Sequence, residues 1–481
     1  MNIGPLDCVL VPLAFAILAF VVPSNRLRPL VLPAGALANL AVAIAALADG
    51  TRSTAGGWLV LDALGKLVIL TVALLFFFCA LYAPGYLRVR ADRSNRQLCG
   101  GLFFQVAMLS LVATSHHLGL LWVALEATTL SSAPLIYFNR TPKALEAAWK
   151  YLLICSVGIA LALLGSFFLA YASLHGPHSS TLLFDDLVAN AASLSKPWLH
   201  AAFVTLLVGY GTKMGLAPMH TWKPDAYGEA PGILGAMLAG GVTSGAVIAL
   251  LRLLAIMHAA GEAGFAQPIL VVMGLVSMVF AAVFMVRQKD IKRMLAYSSI
   301  EHMGVLILGF GLGGLALFGA LLHLICNALT KGILFLATGN LHRAYGSKST
   351  DVVTGALDRV PISASLFLVG FLAITGSPPF GPFVSEFTIL RAAFASDHFV
   401  AGGLFLVLLM AVFLGMGSTV LLAVHGKAPP ETATDAASAD TPQLTLPIVG
   451  LVLVVTCLGV WLPAAFVQLL EQAAASVEGP R

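Results

Sequence analysis

Charge is what this sequence lacks. Only 10% of its 481 residues are charged, against 59% hydrophobic, and the mean hydropathy is +0.95. A soluble domain carries about a quarter charged residues, so a soluble globular fold is excluded and most of the mass belongs in a lipid bilayer. The six cysteines (Cys8, Cys79, Cys99, Cys155, Cys326, Cys457) have no CxxC or CxxH spacing. They read as small apolar residues in helices, which argues against a disulfide framework or a cluster site. No glycine-rich phosphate loop, dinucleotide fingerprint or metalloprotease motif is present. The chain alone therefore offers no site for redox chemistry, a cofactor or a metal. A net charge of +4 is small and gives no reason to expect a nucleic-acid partner.

What is present is one long apolar run after another. Runs of about 17–25 residues can cross hydrocarbon. Fourteen spans are expected, near 4–22, 30–48, 59–82, 98–114, 119–138, 151–174, 200–217, 231–256, 268–286, 292–311, 315–341, 361–395, 400–424 and 445–468. The expected fold class is an all-α integral membrane protein. The first run lacks a basic n-region, and its arginines follow the apolar stretch, so it reads as a retained span. The run 361–395 is too long for one straight span and contains "GSPPFGP", which reads as a broken helix. Of the 26 basic residues, eighteen fall in loops after odd-numbered spans, Lys223 and Lys292 among them. Five fall on the opposite side (Arg52, Lys196, Arg252, Arg391, Arg481), and three lie inside spans (Lys66, Lys213, Lys331). Basic loops stay cytoplasmic. Both termini are therefore expected on the periplasmic side of a bacterial inner membrane.

Six ionisable groups sit deep within these runs: Glu126, Lys213, Glu301, His323, Lys331 and Glu386. Each costs several kcal/mol in hydrocarbon unless it is paired or hydrated. Lys66 is nearer an outer edge, where it can snorkel. His323, Asn327 and Lys331 are spaced four apart in "LLHLICNALTKGILFLATGN", which puts them near one helical face over about 12 Å. Pro218 and Pro224 remove backbone donors after Lys213, so that helix should break. Glu386 follows the break in "GSPPFGPFVSEF". Bland readings exist for single members: a structural ion pair for one lysine, a satisfied core imidazole for His323. His116 and His117 read as interfacial; His175, His178, Asp185 and Asp186 read as solvated outer-loop groups. Acids and bases recurring in spans five, seven, ten, eleven and twelve point instead to a hydrated path for protons.

The two proline-broken spans, seven and twelve, lie five apart, and so do spans five and ten, each with a deep glutamate. An offset of five reverses topology, so two inverted five-helix repeats are expected, at 98–256 and 268–424. Three helices precede them (1–97), and a fourteenth follows (445–481). Transport sites commonly lie on such discontinuous helices.

"GTKMGLAPMHTWKPDAYGEAP", "QKDIKRMLAYSSIEHMG", "HLICNALTKGILFLATGN" and "GSPPFGPFVSEF", in that order, resemble signatures of the antiporter-like proton-translocating subunits. These occur in respiratory complex I, Mrp sodium/proton antiporters and membrane-bound hydrogenases. The resemblance covers nearly the whole chain. Within the family, "WVALEATTLSSAPLIYF", "WKYLLICSVGIALALLG" and "AYSSIEHMG" look closest to hydrogenase-4 component F. The resemblance implies a proton channel of two half-channels, with Glu126 and Lys213 in the first and His323, Lys331 and Glu386 in the second. It implies partners too: other membrane subunits of a hydrogenase- or complex I-like assembly, where electron transfer would occur. Mrp-type cation/proton exchange and inorganic-carbon uptake are the alternative functions. The chain departs from the family pattern at Met237, where many members carry His or Lys, so a central relay would use water or another group. At Asn327 some members have a second His.

Overall fold

The structure is a computed structural model and describes residues 3–48, 50–174, 181–427 and 439–479. His175, His178 and Arg481 lie outside the described residues. The chain opens with α1 (Pro5–Val21) and α2 (Arg28–Ala48), then a short antiparallel hairpin, β1 (Arg52–Thr54) and β2 (Leu59–Leu61). Next come α3 (Ala63–Val89), α4 (Arg96–Thr114), α5 (Leu118–Ile136), α6 (Pro142–Ser173) and the loop helix α7 (Phe184–Ala189). Then follow α8 (Lys196–Met214), α9 (Trp222–Glu229), α10 (Gly232–Ala236), α11 (Thr243–Ala259), α12 (Ala263–Met285) and α13 (Ile291–Leu312). The last are α14 (Leu315–Tyr345), α15 (Ala356–Arg359), α16 (Pro361–Ile374), α17 (Gly381–Ala395), α18 (Phe399–His425), α19 (Pro442–Val460) and α20 (Ala464–Glu478). Among the described residues, eleven helices are long and apolar enough to cross a membrane.

Both expected interruptions are present. α8 ends at Met214, and Gly215 takes the left-handed conformation (φ 76°) that caps helices. Pro218 and Pro224 follow it. α16 ends at Ile374, and α17 starts only at Gly381, beyond Gly376 (φ 68°). Other expectations need correction. Residues 59–61 pair as a strand, so the third apolar helix begins later than expected, at Ala63, where the Asp62 carboxylate accepts from the Gly65 N–H. The run 445–468 is not one helix: Trp461 is extended and Pro463 precedes α20. Between α10 and α11, Met237–Val242 form a π-helical turn, which the apolar pattern does not announce.

The centre of the bundle is α14 together with 232–259, whose most apolar stretches are wholly buried. α3 and α13 pack beside them. α12 crosses α13 at Gly274 and Gly304, where a Cβ on either residue would lie 2.7 Å from the other's carbonyl oxygen. The outer helices turn leucine, valine and phenylalanine outward, as at Leu37, Leu153, Phe167, Val283, Leu414 and Leu453. An apolar girdle around a body that buries ionisable groups suits hydrocarbon as solvent.

Candidate functional site

The first polar group is built on α5, α6 and α8. Lys213 is fully buried in the last turn of α8. Its Nζ donates in a short contact to the Thr129 hydroxyl and at 3.3 Å to the Tyr151 hydroxyl. Thr129 donates in turn to Glu126 Oε2 at 2.9 Å, and Ser156 donates to Glu126 Oε1 at 3.1 Å. The expected Glu126–Lys213 link exists, but Thr129 stands within it. Glu126 lies midway along α5 and is half-buried, with Ser156 of α6 holding its carboxylate.

The second group is built on α13, α14 and α17. His323, Asn327 and Lys331 do share the buried interior face of α14. Lys331 Nζ donates to Ser298 Oγ at 2.7 Å. His323 Nδ1 lies 2.9 Å from Ser385 Oγ, and its Nε2 lies 3.1 Å from His302 Nδ1. Glu301 Oε2 approaches His302 Nε2 at 3.3 Å, and Glu386 Oε1 lies 3.9 Å from His302 Nδ1. Glu301, His302, His323 and Glu386 are all buried. Not all polar atoms here are satisfied: Glu301 Oε2, His302 Nε2, Asn327 Oδ1 and Glu386 Oε1 have no hydrogen-bond partner among the described residues. Orphaned polar atoms at the interior of an apolar bundle are where water is expected to bind.

Three buried residues beside these groups are not among the six candidates. His302 touches three of the six, yet Glu301 beside it drew all the attention. A histidine inside an apolar run is the same signal as a lysine there. Lys223 is expected in the basic loop after the seventh span. In fact α9 folds back into the body, and Lys223 is fully buried with Nζ 3.1 Å from Ser299 Oγ. Lys292 was also assigned to a loop; it is buried and donates to the Ala230 carbonyl at 3.0 Å.

The two rims differ. On one, Lys150 and Arg293 both meet Asp225, while Lys348 meets Glu229 at 2.7 Å and Asp290 at 3.3 Å. These groups line a cavity of about 400 Å³. On the other, His116, at the edge between α4 and α5, is buried, bridging Asp62 at 3.2 Å and Asp185 at 3.1 Å. Arg252, expected on the outer side, lies buried in α11; it donates to the Ala113 carbonyl and comes within 3.6 Å of Asp62. Burial pushes the Asp62 carboxyl up, but Arg252 and His116 outweigh it and hold the group at about 2. The hydrogen bond to His116 holds Asp185 low as well. Lys66 lies at this edge, as expected, though its stem is buried and Nζ reaches the Gly50 carbonyl at 3.4 Å.

Over residues 115–421 the chain matches the family described as NADH:quinone oxidoreductase/Mrp antiporter, transmembrane. It is 35% identical over 426 residues to the hydrogenase-4 component F homolog of Methylacidiphilum infernorum (isolate V4), covering 86% of this chain and 87% of that one. It is 32% identical over 414 residues to the NADH-quinone oxidoreductase subunit N of Desulforudis audaxviator (strain MP104C), covering 82% and 81%. In fold it resembles a chain of the membrane-bound sulfane sulfur reductase, an archaeal respiratory membrane complex: TM-score 0.88 over 98% of this chain and 97% of that one, at 22% identity. The buried polar groups thus lie in a multi-pass membrane protein that belongs to the complex I/Mrp antiporter-like subunit family.

Proposed function

We propose that this chain is the proton-translocating membrane subunit of a redox-driven complex, of hydrogenase-4-like or NADH:quinone oxidoreductase-like type. Electron transfer occurs in partner subunits; proton movement occurs here. One observation carries the reading. Acids and bases that cost several kcal/mol each in hydrocarbon are gathered into two groups: Glu126–Thr129–Lys213, and the His302–His323–Glu386 cluster with Lys331, which binds Ser298 on the same α13 that carries His302. Glu301 joins the second group through His302. Unrelated structural ion pairs would not gather in this way on neighbouring helices. Similarity to a hydrogenase-4 component F homolog over most of both chains favours a redox-driven partner over an Mrp-type antiporter or an inorganic-carbon uptake complex.

The chain crosses a bacterial inner membrane fourteen times, as inverted repeats 98–256 and 268–424 with the broken pairs α8/α9 and α16/α17 in matching places. Both termini lie outside. Two observations support that orientation: Lys150, Arg293 and Lys348, which follow odd spans, meet at one rim, and Ser476, near the end of α20, lines a cavity with Asp62 at the other. The first test is isolation of the native complex through a tag on this chain, with its subunits identified by mass spectrometry. Electron-transfer subunits of hydrogenase or quinone-oxidoreductase type are expected. A set of small antiporter subunits, or a large soluble zinc protein, would replace this reading with one of its rivals.

A further inference from the structure

Lys223 poses the sharpest unanswered question in the molecule. Its side chain is wholly buried. Among the described residues, no carboxylate forms an ion pair with it. Its nitrogen has one hydroxyl partner, Ser299 Oγ at 3.1 Å, and lies 5.7 Å from the Tyr227 ring centroid. A buried ammonium with no counter-ion costs several kcal/mol, and a methionine of similar length would fill the same space without that cost. Packing therefore does not explain the residue.

Its position does. Ser299 is adjacent on α13 to Ser298, which accepts from Lys331. The lysine stem runs past Gly215, two residues beyond Lys213, where a Cβ would collide with Lys223 Cδ and Cε. Gly215 also has φ 76°, a conformation that suits glycine. Cys155 lies within electrostatic range of both Lys213 and Lys223, and Lys331 lies within range of Lys223. The helix break after α8 thus does more than interrupt a span: the missing Cβ at Gly215 leaves room for the Lys223 stem, which ends at Ser299 beside Ser298, the partner of Lys331.

We propose that Lys223 is the proton carrier that joins the Lys213 group to the Lys331 group, with Ser299 and Ser298 as the link on the Lys331 side. The inference rests on the proton-translocation reading above. In the step itself, Lys213 gives up a proton through an intervening hydroxyl or water, and the Lys223 amine takes it. Lys223 then releases it toward Ser299, whose hydroxyl can accept one proton while donating another. No bond to carbon changes, and the charge moves with the proton.

The test compares Lys223→Met, Lys213→Ala and Lys331→Ala in the assembled complex in inverted membrane vesicles. Three quantities are read: complex on a native gel, electron transfer to an artificial acceptor, and proton uptake. Lys223→Met is expected to assemble, to keep its electron transfer, and to lose proton uptake by about tenfold or more. Lys223→His, which restores a titratable group, is expected to recover part of the uptake with a displaced pH profile, a response that a packing role would not produce. Normal uptake in Lys223→Met, with uptake lost in the other two, would overturn this inference and leave the proton-translocation reading standing. Normal uptake in all three would sink both. If Lys223→Met fails to assemble, Ser299→Ala decides: slowed uptake supports the link, and unchanged uptake overturns it.

Discussion

A single hydroxyl separates the buried ammonium of Lys213 from the carboxylate of Glu126. Thr129 accepts from one and donates to the other, so it can relay a proton that the two charged ends cannot exchange directly. Thr129→Val keeps the shape and removes the relay. Proton uptake by the assembled complex should fall several-fold in that variant, while Thr129→Ser should keep most of it. Glu126→Gln and Lys213→Ala should each reduce uptake as well. Wild-type uptake in Thr129→Val would show that the hydroxyl is only packing. Asp62 makes a separate prediction, about stability. Its ordinary value near 3.8 is held at about 2 in the fold. A depressed carboxylate contributes stability above its unfolded value and loses it as pH falls toward the folded one, here on the order of 2 kcal/mol. In thermal melts of the detergent-purified protein, Asp62→Asn should be less stable than wild type at pH 6–7, and the difference should shrink below about pH 4. A difference that is constant down to pH 3 would remove Asp62 from the ledger of stabilising charges.

At the scale of helices, close approach rather than propensity holds α12 against α13. Gly304→Ala would place a Cβ 2.7 Å from the Gly274 carbonyl oxygen and 2.8 Å from Met278 Cγ. The overpacking cost of about 1–3 kcal/mol should outweigh the ~1 kcal/mol that alanine adds to helix propensity. Gly264→Ala, in the first turn of α12, meets nothing within 4 Å. The first variant should melt lower than wild type and the second at or above it; equal melting points for the two would contradict the tight crossing. Helices of this kind were largely legible in the sequence. Length and apolar composition located them, and the prolines located both breaks. What the sequence hid is what depends on tertiary contact. Pro218 and Pro224 mark "TWKPD" as a turn, and nothing local says that the turn folds inward and carries Lys223 with it. Arg252 and His116 look like edge residues until α11 and the α4–α5 loop bring them to Asp62. The extended stretch 59–61 is as apolar as a helix, and only its pairing with 52–54 makes it a strand. His302, inside the apolar run 292–311, carries the same signal as a lysine there.

For the molecule as a whole, the two rims give the orientation its physical meaning. A C-terminal alkaline phosphatase fusion should be active and a C-terminal fluorescent-protein fusion dark, since the basic rim is expected on the cytoplasmic side. The reverse pattern would invert the chain or change the number of crossings. The central claim, however, concerns what passes between the rims. Lys331 is the most direct probe: it is fully buried and donates to Ser298 on α13, the helix that carries Glu301 and His302. The decisive measurement is proton uptake by vesicles that contain the assembled complex with Lys331→Ala, made alongside electron transfer to an artificial acceptor. The account predicts a complex of normal abundance that transfers electrons and moves no protons. A normally assembled Lys331→Ala complex that pumps at the wild-type rate would contradict it.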